Sequence, residues 1–244
     1  MTANRCPSAY AIPFSFPGVP GVRCLFATAG AGDTALSGKA TSAAAAAENR
    51  RRFMQEAGFA NWAEVHQVHG DDIIPASRTD SLSEGGANQA DGHYTFEKQL
   101  GLIIKTADCQ PVLFCRRDGG AIAGLHVGWR GNARNLPGQA VATLCREFAC
   151  APADLLAVRG PSLGPAAAEF VNFRAEWPEE FLPWFDPETK TVDLWALTRR
   201  QLEEAGLRGD RIFGLDLCTR DTPGWFFSHR RGEAERQVSV IWRE

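Results

Sequence analysis

Leu100-Gly101-Leu102-Ile103-Ile104-Lys105-Thr106-Ala107-Asp108-Cys109-Gln110-Pro111-Val112-Leu113-Phe114-Cys115 consists of two compact apolar runs, Leu100 to Thr106 and Pro111 to Cys115, on either side of a short break. Apolar runs of this length, rich in branched side chains, read as buried strands, and Cys109 then sits at a strand junction. A break this short leaves no room for a helical crossover. Several other connections are equally short, so the sheets must be mixed rather than purely parallel.

Upstream, residues 1–20 are rich in proline and aromatics and suggest an extended or hairpin-like entry, and Val22 to Thr28 alternates as a strand does. A loop over Gly30 to Gly38 precedes a helix over Ala43 to Ala57, capped by Thr41 or Ser42 and stopped by Gly58. Its Arg50-Arg51-Arg52 face is expected to be at least partly solvated. Trp62 to Val68 and Ile73-Ile74 read as strands around the turn His69-Gly70-Asp71-Asp72, and Arg78 to Gln89 reads as a mobile loop.

Downstream, Ala121 to Leu125 forms a strand that delivers His126. The turn Gly128-Trp129-Arg130-Gly131 then leads to a helix from Pro137 to Phe148. Leu155 to Val158 is a strand, residues 172–190 resemble a surface excursion, and Val192 to Ala205 has helical period before Gly206. Arg211 to Cys218, Trp225 to His229 and Gln237 to Trp242 complete the strands. The expectation is a single α+β domain over residues 1–244, with mixed sheets layered by helices.

A formal charge of −3 on 244 residues gives no electrostatic footprint for nucleic acid, and no apolar stretch reaches a membrane-spanning length. Seven cysteines without a Cys-x-x-Cys pair suit a reducing compartment, and a cytoplasmic location is expected.

Three punctuated segments carry the chemistry: Gln67-Val68-His69-Gly70, Thr106-Ala107-Asp108-Cys109-Gln110-Pro111 and His126-Val127-Gly128-Trp129-Arg130-Gly131. His69, Cys109 and His126 together offer two imidazoles and a thiolate, which are ligands suited to zinc. A three-residue set leaves a fourth position for water or substrate. Asp108 is a candidate proton carrier, an outer carboxylate orienting an imidazole, or a residue that bonds loop amides. Arg130 is a candidate anion clamp, with Arg50 and Arg230 as further candidates. His66 reads as structural, and His93 and His229 as substrate contacts, outer-shell groups or surface residues.

These motifs, together with Gly160-Pro161-Ser162-Leu163-Gly164, Cys218-Thr219 and Phe226-Phe227-Ser228-His229-Arg230-Arg231, resemble the YfiH/LACC1 family from about Val22 onward. Its members are variously called laccase-domain proteins, multicopper polyphenol oxidases, purine nucleoside phosphorylases and peptidoglycan editing factors. The resemblance implies an α/β/β/α layered fold shared with a group of cysteine hydrolases. It also implies zinc at His69, Cys109 and His126, and phosphorolysis and deamination of adenosine and related nucleosides, with phosphate as co-substrate. The sequence departs from the family pattern at Ala29, where an arginine is usual, at Ala167-Ala168, at Asp91-Gly92-His93 and at Lys105, where the strand is usually apolar.

Three other readings stand beside zinc phosphorolysis. Cys109 with His126 as its base could hydrolyse an amide of a peptidoglycan precursor without a metal. Copper (Cu2+) in place of Zn2+ at the same ligands could oxidise phenols, although five histidines cannot supply the trinuclear cluster of a full laccase. In a structural zinc domain, His66, His93 or Cys24 would close the tetrahedron.

Overall fold

A computed structural model describes residues 10–36, 40–78 and 88–244. In chain order the elements are β1 (Ala11–Phe14), β2 (Val22–Ala27), α1 (Ala43–Ala57), β3 (Asn61–Ala63), β4 (Ile73–Pro75), β5 (Gly92–Thr95), β6 (Leu100–Thr106), β7 (Gln110–Arg116) and β8 (Ile122–Val127). There follow α2 (Trp129–Ala133), α3 (Leu136–Phe148), β9 (Leu155–Arg159), α4 (Phe173–Glu176), β10 (Phe185–Asp186), β11 (Thr191–Val192), α5 (Leu194–Glu204), β12 (Ile212–Gly214) and β13 (Gln237–Arg243).

The strands form a five-stranded sheet ordered β1-β2-β13-β6-β3 and a six-stranded sheet ordered β12-β9-β7-β8-β5-β4, with β10 and β11 as a small separate pair. Parallel pairs (β3 with β6, β4 with β5, β9 with β12) occur beside antiparallel ones, as the short connections require. The two-residue period of each strand sorts its side chains between layers. In β6, Leu102 and Ile104 enter a core between the sheets, while Ile103 packs outward with Phe53 of α1. In β7, Leu113 and Cys115 face the inter-sheet core, and Val112 and Phe114 pack with Val141 and Leu144 of α3. The result is helix, sheet, sheet, helix: an α+β fold with mixed sheets.

The break Ala107-Asp108-Cys109 carries the chain from β6 in one sheet to β7 in the other, so Cys109 lies at the rim where the chain crosses between the two packed sheets. Helix α1 has the expected bounds: the Ser42 hydroxyl accepts from the Ala45 amide, and Gly58 takes the left-handed conformation at φ 82°.

Several expectations are corrected. The strand expected over Trp62 to Val68 ends at Ala63, because the Glu64 side chain turns into a buried ion pair with Arg50 and the chain leaves the sheet. Arg50 is fully buried instead of solvated. The strand expected from Arg211 to Cys218 shrinks to β12, and Trp225 to His229 forms no strand. There the backbone is held by side chains: Arg231 donates to the carbonyls of Thr219, Arg220 and Phe226. The segment 172–190 is no mere surface excursion, since Phe173, Trp177 and Phe181 are buried with Phe170, Leu194 and Leu197. The Gly128–Gly131 turn is the start of helix α2. The helix expected from Val192 to Ala205 is α5, which begins at Leu194 with Asp193 as its cap. Of the loop expected over Arg78 to Gln89, residues 79–87 lie outside the described residues, as do residues 37–39 of the earlier loop.

Candidate metal centre

The Gln67 side chain explains how the first motif reaches the second. Its amide nitrogen donates to the Lys105 carbonyl at 2.7 Å, and its carbonyl oxygen accepts from the Lys105 amide at 2.9 Å. One side chain thus pairs with β6 as a strand would, and ties the His69 loop to the sheet. His69 itself adopts φ 59°, in the left-handed region. The Asp91 carboxylate holds that bend by accepting from the amides of Val68 at 3.1 Å, His69 at 3.0 Å and Gly70 at 2.5 Å.

Asp91 also fixes His126. Its Oδ1 lies 2.7 Å from His126 Nδ1, so the ring donates through Nδ1 and leaves Nε2 available to a ligand. The β5–β8 ladder places the two residues side by side, with Gly92 opposite Leu125 and the His126 amide bonded to the Asp91 carbonyl at 2.7 Å. The outer carboxylate that orients an imidazole is therefore Asp91, a residue sequence reasoning noticed only as a departure.

One donor atom each from His69, Cys109 and His126 lies within 4.8 Å of the others, and the Cys109 Sγ is 3.8 Å from His69 Nε2. Among the described residues this is the single such cluster. Gly128 makes room for it: a Cβ at that position would stand 2.9 Å from His69 Cδ2 and 3.3 Å from the Cys109 Sγ. The electrostatics are those of a thiolate site. Burial pushes the Cys109 thiol up, but the adjoining His126 and then His69 outweigh it and bring the pKa to about 6. Burial lowers His126, yet Cys109 and Asp91 raise it to about 9. Asp91 is pushed up by burial but held below the usual carboxylate range by His126 and the amides of Gly70 and Val68.

No fourth protein ligand joins the cluster among the described residues. Cys24 is buried in the inter-sheet core, and His93 is enclosed in β5, where burial lowers its pKa to about 4. His66 and His229 line a neighbouring cavity.

Asp108 is held by three donors. Its Oδ1 accepts from the Thr219 hydroxyl at 2.6 Å, and its Oδ2 from the Ser228 hydroxyl at 3.0 Å and the Arg230 amide at 2.7 Å. The carboxylate ties the Cys218-Thr219 and Ser228–Arg231 segments, which carry His229 and Arg230, to the Cys109 loop. Arg50 is also removed from the list of substrate contacts. It is buried, donating to the Thr34 carbonyl at 2.7 Å and pairing with Glu64 at 3.2 Å.

Two cavities meet at the cluster and share His69, Ala107, Cys109 and His229 in their walls. One, of about 390 Å³, is walled by Val127, Trp129, Leu163, Phe170 and Leu194, with Arg130 and Arg230 at its side. The Arg130 guanidinium lies 4.3 Å from the Trp129 ring centroid, and that of Arg230 lies 5.5 Å from the Phe170 ring centroid. The other, of about 470 Å³, includes Lys105, Thr106, His66 and Arg236.

Residues 35–244 match a family model described as multi-copper polyphenol oxidoreductase laccase. The chain belongs to the YfiH/LACC1 family. Within the family it is 33% identical over 207 residues to a protein of Escherichia coli K12 named purine nucleoside phosphorylase YfiH, covering 80% of this chain and 79% of that protein. A Xylella fastidiosa (Temecula1) protein named purine nucleoside phosphorylase is 37% identical over 209 residues, covering 80% and 77%. The crystal structure of YlmD from Geobacillus stearothermophilus superposes with a TM-score of 0.81 at 26% identity, covering 93% of this chain and 94% of that one. Among the described residues no helix is long and apolar enough to cross a membrane, and the six cysteines are free thiols.

Proposed function

We propose that this YfiH/LACC1 member is a zinc-dependent purine nucleoside phosphorylase acting on adenosine and related nucleosides, with adenosine deamination as a second reaction of the same centre. The supporting observation is a two-imidazole, one-thiolate cluster at the mouth of an aromatic cavity, in a chain whose curated relatives are named purine nucleoside phosphorylases.

The donor set fits zinc. His69, Cys109 and His126 would hold it, since Cys109 is disposed to be a thiolate and Asp91 sets the ring tautomer of His126. Zinc held there would supply Lewis-acid polarisation of a substrate oxygen. The remaining work belongs to the protein. Trp129 and Phe170 give a purine flat apolar surface, Leu163 and Leu194 exclude water around it, and Arg130 and Arg230 donate hydrogen bonds at its edge. Asp108 keeps Arg230 and His229 in place.

Elemental analysis of the purified protein, followed by product assays with adenosine with and without phosphate, tests the reading. Adenine and ribose 1-phosphate formed only with phosphate support phosphorolysis, and inosine supports deamination. A metal-loaded protein that yields neither refutes both.

A second reading is favoured by one observation: Asp91, His126 and Cys109 stand in the order of an orienting acid, a base and a nucleophile. That geometry suits a Cys-His amidase acting on a peptidoglycan precursor. Amide hydrolysis that survives chelation and stops on alkylation of Cys109 would select it. Phenol oxidation by copper at the same three ligands lacks a second ligand cluster among the described residues.

A further inference from the structure

The cavity on the Lys105 side of the cluster differs in character from the aromatic one. Its titratable wall residues are His66, His69, Lys105, Cys109, His126, His229 and Arg236, with no aspartate or glutamate among them. Lys105 pairs with Glu64 at 3.5 Å, but that carboxylate is already held by Arg50 at 3.2 Å. The Arg50 and Glu64 side chains are 0% and 1% exposed and that of Lys105 is 19% exposed, so Lys105 is the member of the trio that reaches the cavity. Arg236 adds a second guanidinium, bonded through Nη1 to the carbonyls of Ala234 and Glu235 and in no ion pair with a described residue. Lys105 and Arg236 thus face a cavity whose wall offers no carboxylate to neutralise them.

We infer that this cavity is an oxyanion subsite that holds a phosphoryl group between Lys105 and Arg236, beside the metal cluster. The inference rests on the phosphorolysis reading, which makes inorganic phosphate the favoured occupant; the 5′-phosphate of a nucleotide has the same chemistry. With the purine in the aromatic cavity, the ribose bridges the junction and phosphate approaches from the other side. A phosphate oxygen bonds to the anomeric carbon as the glycosidic carbon–nitrogen bond breaks. The electron pair leaves on the purine nitrogen, which takes, relayed through water, the proton that hydrogen phosphate gives up, and ribose 1-phosphate is released. Gln67, clamped on both polar backbone atoms of Lys105, couples the subsite to the His69 loop.

The test uses the metal-loaded full chain and the variants Lys105→Met, Arg236→Met and Lys105→Arg, with Arg208→Met as a surface-charge control. Inorganic phosphate and adenosine monophosphate are titrated by calorimetry, and the KM for phosphate and for adenosine are measured separately. Each methionine variant is expected to weaken phosphate by about tenfold, the scale of a charge-assisted hydrogen bond, while the KM for adenosine holds. Lys105→Arg should retain most of the affinity, and Arg208→Met all of it. Loss of affinity for the monophosphate alone would assign the subsite to a nucleotide. Phosphate bound equally by all variants, or by none including the parent, overturns the inference. Phosphate binding lost in the variants of a protein that cleaves no nucleoside would sink the phosphorylase reading and leave the subsite standing.

Discussion

Cys109 differs from the other buried cysteines in its company. Cys24 and Cys115 are enclosed by aliphatic neighbours, and burial holds both thiols well above the ordinary range, whereas two imidazoles bring Cys109 down to about 6. Since the thiolate is the nucleophile, alkylation of the metal-free protein should accelerate as pH rises through about 6, with Cys24 and Cys115 inert at pH 8. Peptide mapping after iodoacetamide treatment reads this directly, and a midpoint near the usual ~8.5 would refute it. Asp91→Asn should leave the ligands in place but free the His126 ring, lowering metal affinity by about 10- to 100-fold in competition with a chelator. Unchanged affinity would show that Asp91 serves the His69 loop alone. The clustering of His69, Cys109 and His126 was legible in the sequence because each is a candidate donor in a glycine-punctuated segment. Asp91 was not, since nothing in its neighbours tells which ring a carboxylate will meet across a sheet. Of the three readings open for Asp108, its contacts are those of a residue that bonds loop groups, the Arg230 amide with the Thr219 and Ser228 hydroxyls, none of which its neighbours in sequence could name.

Among the elements, α1 shows what local signals can and cannot specify. Its bounds follow from a serine cap, an alanine run and a terminal glycine, and they match the structure residue for residue. Its burial does not, because Arg50 finds Glu64 fourteen positions on, at the end of β3. Arg50→Met would leave Glu64 enclosed with the more distant Lys105, so it should cost about 3–5 kcal/mol in urea denaturation. The double variant Arg50→Met/Glu64→Leu should recover much of that loss, and a double variant no better than the single one would argue that packing, not charge, is responsible. Apolar runs such as Leu100–Thr106 were equally readable. Segments held by side chains rather than ladders were not: Ser228–Arg231 owes its shape to Asp108 and Arg231, and the aromatic residues of 170–185 gather around partners that periodicity cannot name.

For the whole molecule, the two sheets share one inter-sheet core, to which β2, β6, β7, β8, β9 and β13 all contribute. We therefore take the described residues as one folding unit, and calorimetry should show a single transition whose two-state enthalpy agrees with the measured one. Two resolved peaks would mean that the halves melt independently. The order β1-β2-β13-β6-β3 carries a further consequence. Strand β13 is the middle of its sheet, bonded to β2 on one side and β6 on the other. During synthesis from the N-terminus, the ribosome has emitted His69, Cys109 and His126 before it makes the strand that joins β2 to β6. The nascent chain must therefore wait with a gap between β2 and β6, exposed to chaperones or to invading strands, until Gln237 to Arg243 emerge and close it.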